Sequence, residues 1–184
     1  MSKTKQKACL ERGRRVIVAM SGGVDSSVAV FLLKKAGYEV EGVTMKTVCY
    51  KSEEILNAKK VCKTLGIPHH TIDVSKKFQK KVIDNFFTEY KAGRTPNPCV
   101  KCNQFIKFGE LLKFAKKKGA DFLATGHYAK IVETRHASSL HRGKDLKKDQ
   151  TYFLYNLTQK QLSQILFPLG DYNKEDIKKI AKKH

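Results

Sequence analysis

Two strings in this chain have the residue types and spacing that chemistry needs. The first is Ser21-Gly22-Gly23-Val24-Asp25-Ser26-Ser27, which follows the run RVIVA at 15–19. Glycines let a backbone turn tightly and bring N–H groups close to an anion. A helix beginning directly after the turn adds unpaired N–H donors and a partial positive charge. Ser21, Ser26 and Ser27 contribute hydroxyls. Asp25 would repel a phosphate, and a carboxylate beside a phosphate site implies a bridging Mg²⁺. The string is neither a G-x-x-x-x-G-K-[ST] loop, since it has no lysine, nor a G-x-G-x-x-G fingerprint. A Ser/Gly turn that only caps a helix is the alternative reading.

The second string is Gly93-Arg94-Thr95-Pro96-Asn97-Pro98-Cys99-Val100-Lys101-Cys102-Asn103, followed by Ile106-Lys107-Phe108. Two prolines stiffen it. Arg94, Lys101 and Lys107 surround the C-x-x-C pair with positive charge, which favours thiolate. Three readings stand side by side. A metal site would have only half of a tetrahedral set here, and an iron–sulfur cluster at Cys99 and Cys102 would need further ligands. An inert buried pair is the second reading, and a nucleophile or sulfur carrier the third.

Alternating patterns must position these strings. Strands are expected at 15–19, Val40–Met45, His70–Val74 and Asp121–Thr125. Helices are expected at Ser26–Ala36, Glu53–Leu65, Phe78–Tyr90 and Phe105–Lys118, with Gly37, Gly66 and Pro68 as stops. Phe78, Val82, Ile83, Phe86, Phe87 and Tyr90 fall on one helical face. Residues 92–103, rich in Gly and Pro, read as a loop. Strand–helix alternation implies α/β architecture with a doubly wound parallel sheet. Beyond 128 the pattern weakens: 134–149 reads as a mobile basic loop, and Gln159–Leu166 and Asn173–Lys183 read as helices, the second capped by Asn173.

The chain has 184 residues and a formal net charge of +20, from 37 Lys+Arg against 17 Asp+Glu. Such a charge favours a polyanionic partner, RNA or DNA first, with a merely lysine-rich surface as the alternative. The five cysteines are odd in number and only one pair is close, so a secreted disulfide framework does not fit. No apolar run is long enough to span a membrane, and the basic start MSKTKQKACLERGRR lacks the apolar core of a secretory signal. A cytoplasmic protein without membrane contact is expected.

The string S-G-G-V-D-S-S after a strand resembles the PP-loop of the N-type ATP pyrophosphatases, whose fold is the adenine nucleotide alpha-hydrolase type. That family adenylates an acceptor oxygen and releases pyrophosphate. G-R-T-P-N-P-C-V-x-C-N-x-x-I-K-F resembles the signature of the tRNA-specific 2-thiouridylases, which thiolate uridine 34 of the anticodon. Leu123-Ala124-Thr125-Gly126-His127-Tyr128 and Lys148-Asp149-Gln150-Thr151-Tyr152-Phe153-Leu154 resemble two further segments of that family. The resemblance implies ATP on Ala19, Met20, Ser21, Gly22, Gly23, Val24, Asp25 and Ser26, with Met45 holding adenine by its backbone and Gly126 contacting the nucleotide. Asp25 is implied in Mg²⁺-ATP binding. Cys102 is implied as the nucleophile that pairs with a persulfide cysteine. Cys99 replaces an Asp of some members, so that acid/base role does not carry over. Asn97, Pro98 and Cys99 would lie against the target base, with His127, Lys148, Asp149 and Gln150 near tRNA. On residues alone, Met45 reads as core, His127 as a strand-end histidine and 148–154 as a charged loop.

The resemblance runs from about Arg15 to the end. It leads one to expect a basic tail at 1–14, an ATP-binding catalytic domain at 15–166, and at 167–184 the start of a next segment, with the family's central and C-terminal β domains absent. The family's persulfide cysteine lies beyond the matched segment, and Cys9, Cys49 and Cys62 are outside its motif. The chain is expected to be a fragment of a longer protein, with a natural short form as the alternative; taken alone it is expected to bind ATP and tRNA but not to thiolate, the sulfur coming from a persulfide donor or relay protein. An adenylating enzyme for a small molecule and a non-catalytic RNA-binding fragment are the alternatives.

Overall fold

A computed structural model of the chain describes residues 13–49, 52–133 and 137–184. Most of the expected basic tail, Cys9 included, lies outside the described residues.

The run Val16-Ile17-Val18 is β-branched and buried throughout, as a parallel strand covered on both faces requires. It forms β1 (Arg15–Ala19), the centre of a five-stranded parallel sheet with β2 (Glu39–Lys46), β3 (His69–Asp73), β4 (Phe122–Ala124) and β7 (Ile165–Leu166). The order is β3-β2-β1-β4-β7. Val16 pairs with Val40 on one side and Phe122 on the other. Side chains alternate across the strand. Val16 and Val18 therefore enter one core with α1 (Val24–Lys35), α2 (Ser52–Thr64) and α6 (Lys174–Lys183), while Ile17 enters the other with α4 (98–117). The doubly wound parallel sheet expected from alternation is what forms.

Helix α3 runs through Ser75–Phe78, Gln79–Ile83 and Asp84–Lys91, and the middle piece is wound with i→i+5 hydrogen bonds. The wider winding turns later residues out of the face that precedes it. The expected single apolar face is thereby split. Val82 is buried, but Phe87 is 57% and Tyr90 66% exposed, and Phe86 stacks against Tyr90 at 6.0 Å.

Helix α4 corrects a second expectation. It begins at Pro98, inside the segment read as loop, and runs through Pro98–Lys101, Cys102–Leu111 and Leu112–Lys117. Asn97 caps it: its Oδ1 accepts from the N–H of Cys99 at 3.0 Å and of Val100 at 3.4 Å. Proline at the first helical position loses no hydrogen bond, because that N–H has no intrahelical partner. Both cysteines are therefore helical. Like α3, α4 contains an i→i+5 stretch, over Cys102–Leu111.

After β4, β5 (Ala129–Glu133) and β6 (Ser138–Arg142) pair antiparallel, so part of the segment expected as mobile loop is a strand. Its sequence SSLHR hides the strand, since only Ser138 is buried and backbone pairing supplies the rest. A 3₁₀ turn follows at Thr151–Leu154, then α5 (Gln159–Leu162), where Thr158 and Gln161 cap each other. The helix expected to reach Leu166 stops at Leu162, because Ile165 and Leu166 pair with Leu123 and Ala124 as the sheet's edge. Residues 167–184 fold onto the same core: Leu169 and Ile177 are fully buried with α1. The expected cap at Asn173 holds, with Asp176 accepting its N–H at 3.3 Å.

Truncating Ile177 leaves a cavity between α6 and the sheet. Ile177→Ala is expected to cost about 3 kcal/mol, read as a lower urea midpoint at unchanged slope.

Candidate active site

Strand order reverses between β1 and β4, since the chain leaves β1 toward β2 and returns later to its other side. At such a switch point the loops at the carboxyl ends of two neighbouring strands part and leave a crevice. Here the parting loops are Met20–Gly23 and Thr125–His127, and between them lies a cleft of about 340 Å³. Ala19, Met20, Ser21, Asp25, Ser26, Met45, Gly126, His127 and Gln150 all line it.

The first wall is the turn into α1. Gly22 has φ +75°, and a Cβ there would stand 2.6 Å from the Glu54 carbonyl oxygen. Only glycine fits, in both conformation and space. Gly23 is the N-cap of α1 and offers no side-chain hydrogen bond. The first N–H groups of α1, from Val24 onward, thus lack the usual side-chain acceptor. The hydroxyls of Ser26 and Ser27 donate to the Gly23 carbonyl at 3.0 and 2.9 Å. They shape the turn, which differs from the expected role as free donors. The N–H groups of Ser21 and Gly23 already donate to the Ser26 and Ser21 hydroxyls at 3.3 and 3.4 Å, so the N–H groups at the start of α1 are the ones suited to holding an anion.

Asp25 has neighbours that sequence spacing hid. Lys174, at the head of α6, lies 2.6 Å from its Oδ1 and 2.7 Å from its Oδ2. The Tyr128 hydroxyl donates to Oδ1 at 2.8 Å. Burial, and then Asp25 itself, push the Tyr128 phenol far above its ordinary range, so the hydroxyl keeps its proton.

Gly126 on the second wall packs against α1: a Cβ would come within 3.1 Å of the Asp25 carbonyl carbon and the Ser26 nitrogen. His127 is buried, and its Nδ1 is 2.7 Å from the Thr125 hydroxyl. Its Nε2 is 3.4 Å from Lys107 Nζ. An ammonium can only donate, so Nε2 accepts and the ring proton sits on Nδ1. Burial first, then Lys107, hold His127 well below its ordinary value. It is a neutral anchor that leaves Lys107 in the cleft.

Cys102 reaches the cleft indirectly. Its side chain packs against the small core of Val74, Val82 and Ile106, and Met45, a cleft residue, packs against the same core. The charge around the pair misled as to its state. Burial raises the Cys102 thiol above its ordinary value, and Lys107 offsets this only in part. Arg94 is paired with Glu89 at 2.5 Å. Cys99 is exposed at the start of α4, and Cys49 is exposed beside the cleft. Cys62 is inert: burial lifts its thiol to about 11.

Lys148, Asp149 and Gln150 divide. Lys148 is exposed. Asp149 turns inward, accepting from the Gly143 N–H at 3.0 Å and lying 3.5 Å from Arg142. Gln150 accepts the Tyr128 N–H at 3.1 Å and faces the cleft. Among the described residues, no three or more His, Cys, Asp or Glu gather as a metal cage. A single carboxylate, Asp25, on the glycine turn would fit a magnesium ion that keeps most of its ligands from phosphates and water. Two cysteines do not by themselves complete an iron–sulfur ligand set.

The family model described as the tRNA methyl transferase HUP domain matches residues 14–184. The chain is 49% identical over 189 residues to tRNA-specific 2-thiouridylase MnmA 1 of Caldanaerobacter subterraneus subsp. tengcongensis, covering 95% of this chain and 52% of that protein. It is 51% identical to tRNA-specific 2-thiouridylase MnmA 1 of Syntrophus aciditrophicus, covering 92% and 48%. The chain thus spans about half the length of the curated relatives it matches. Two solved structures share the fold. One is the predicted subunit of tRNA methyltransferase from Methanocaldococcus jannaschii, with TM-score 0.59 and 20% identity over 92% of this chain and 76% of that one. The other is the glutamine-dependent NAD⁺ synthetase of Acinetobacter baumannii, with TM-score 0.60 and 15% identity over 96% and 30%.

Two outcomes follow from burial. In native protein, iodoacetamide is expected to label Cys99 and Cys49 first, Cys102 slowly and Cys62 only after unfolding, as peptide mapping would read. His127 stays neutral when folded but takes a proton near its ordinary 6.5 when unfolded. The unfolded state therefore binds more protons below that value, and stability is full above it and lost as pH falls. His127→Gln is expected to lose less stability between about pH 7.5 and pH 5.5 than the parent, a difference visible in urea midpoints.

Proposed function

We propose that this chain, which belongs to the tRNA methyl transferase HUP domain family, performs the ATP-dependent activation step of tRNA uridine 2-thiolation within a longer protein. One observation carries the reading. Met45 lines the cleft and also packs against the small core, Val74, Val82 and Ile106, that Cys102 of the separate helix α4 packs against. Activation and sulfur chemistry can then meet at one substrate atom. The relatives named as 2-thiouridylases support the substrate. So does the surface beside the cysteines, where Lys80, Lys81, Lys101 and Phe105 line a basic hollow suited to an RNA backbone.

In this scheme ATP lies on Ala19–Ser26, with its phosphates on the N–H groups of the turn, adenine on the Met45 backbone, and Gly126 keeping the opposite wall close. Asp25 would hold a magnesium ion, which supplies charge neutralisation when bound. Asn97, Pro98 and Cys99 hold the wobble uridine, and Lys148 and Gln150 meet flanking RNA. Uridine O2 attacks the α-phosphorus, the bond to the β-phosphate oxygen breaks, and pyrophosphate leaves. The N–H groups of the turn and Lys107 stabilise the developing charge. A persulfide sulfur then attacks C2, and AMP departs with the former O2. The Cys102 thiolate attacks the inner sulfur of the persulfide, a protein disulfide forms, and the outer sulfur stays on C2. The buried Cys102 thiol remains protonated until that step, which spares it from solvent oxidants. The donor is a persulfide-bearing cysteine other than Cys9, Cys49 and Cys62. Its setting is the cytoplasm, consistent with no described helix being long and apolar enough to cross a membrane.

Full-length protein with α-labelled ATP, Mg²⁺ and unmodified tRNA is expected to give tRNA-dependent AMP and thiolated tRNA. Cys102→Ser is expected to retain tRNA-dependent adenylation while losing at least about 100-fold in thiolated product. ADP as product, or full thiolation by Cys102→Ser, would overturn the scheme.

A further inference from the structure

The turn 20–27, which takes the triphosphate on the reading above, contains no lysine or arginine. Its own side-chain charge, Asp25, is of the wrong sign. Lys107 supplies a cation from the far wall of the cleft, where it is engaged with His127 at 3.4 Å. On the near side the cation is Lys174, which is 149 residues away from Asp25 in sequence and touches both of its carboxylate oxygens.

Lys174 is held where it is with some care. Its backbone N–H donates to Asp145 Oδ2 at 2.9 Å. Its Nζ lies 5.8 Å from the centre of the Tyr128 ring. The helix it heads is fixed to the core through Ile177. A cation at a helix N-terminus opposes the helix dipole, so stability of α6 alone does not account for it. Its side chain is 25% exposed and that of Asp25 35%, which leaves both in reach of a ligand.

We propose that Lys174 is the phosphate-side cation of this nucleotide site: it neutralises Asp25 while the turn is empty and turns onto the β- and γ-phosphates when ATP arrives. This rests on the ATP reading above. An ammonium has three donors on a flexible stem. One donor stays with Asp25 while the others move to phosphate oxygens, so no charge is left uncompensated at either stage. When the bond between the α-phosphorus and the bridging oxygen breaks, the electron pair goes to pyrophosphate, and Lys174 is placed to neutralise the growing charge. Tyr128, which keeps its proton, holds Asp25 in position as Lys174 swings. The last helix of the chain thereby supplies what a lysine inside the loop supplies in other phosphate-binding turns.

The test uses full-length protein and three probes: ATP, pyrophosphate and adenosine, with affinities from titration calorimetry and kcat and KM from tRNA-dependent AMP formation. Lys174→Met is expected to weaken ATP and pyrophosphate by about 10–100-fold and to leave adenosine within about 2-fold. Lys174→Arg keeps the cation and is expected to recover most of the pyrophosphate affinity. Asp25→Asn added to Lys174→Met is expected to recover part of it, because the uncompensated carboxylate is removed. Equal loss of all three probes, together with a lower Tm, would identify Lys174 as structural and overturn the proposal. So would unchanged pyrophosphate binding by Lys174→Met. Parent protein that binds pyrophosphate through Lys174 but forms no AMP with tRNA would sink the thiolation reading and leave this one standing. Parent protein that binds neither ATP nor pyrophosphate would sink both.

Discussion

The parallel pairing of β1 with both β2 and β4 is the constraint on which the rest depends. It requires helices on both faces, which is why Val16, Ile17 and Val18 are all buried although they point in alternate directions. It also opens a crevice at the carboxyl ends of β1 and β4. The two turns that wall the cleft are set by where these two strands stop. The turn after β1 can wind tightly only because Gly22 takes a positive φ against the Glu54 backbone. The turn after β4 can close on it only because Gly126 has no side chain to meet α1.

Charge and burial act against each other around this crevice. His127 and Cys102 both lie beside Lys107, and both are kept uncharged mainly by burial. The same low-dielectric surroundings that suppress the thiolate strengthen Lys107 toward any anion that enters. Asp25, across the cleft, is paired with Lys174 and Tyr128. The cleft thus has the neutral His127 beside Lys107 on one wall and the Lys174–Asp25 pair on the other.

Local patterns in the sequence were sufficient for features that are themselves local. The strand 15–19, the turn at 21–27, the helix at 53–65 and the cap at Asn173 all correspond to structure. The misreadings have distinct physical origins. Asn97-Pro98 is a helix start, but surrounding Gly and Pro made it look like continued loop. The i→i+5 stretch in α3 breaks the periodicity that placed Phe87 and Tyr90 with Val82. SSLHR becomes a strand through pairing with β5, which no single-segment pattern records. The cysteine environment was judged from nearby lysines and arginine, whereas burial against Val74, Val82 and Ile106 decides the thiol's state. Lys174 was invisible, since its partner lies at the other end of the chain.

That last separation has a consequence for how the molecule comes into being. A chain made from its N-terminus exposes the glycine turn and α1 long before α6 exists, and N-terminal parts fold first during synthesis. Until Lys174 arrives, Asp25 lacks its ammonium, and the core under α1 lacks Ile177. The cleft between β1 and β4 is therefore complete only once α6 has docked. On the ATP reading, competence to take up a polyphosphate reports that docking, which joins segments 149 residues apart in sequence.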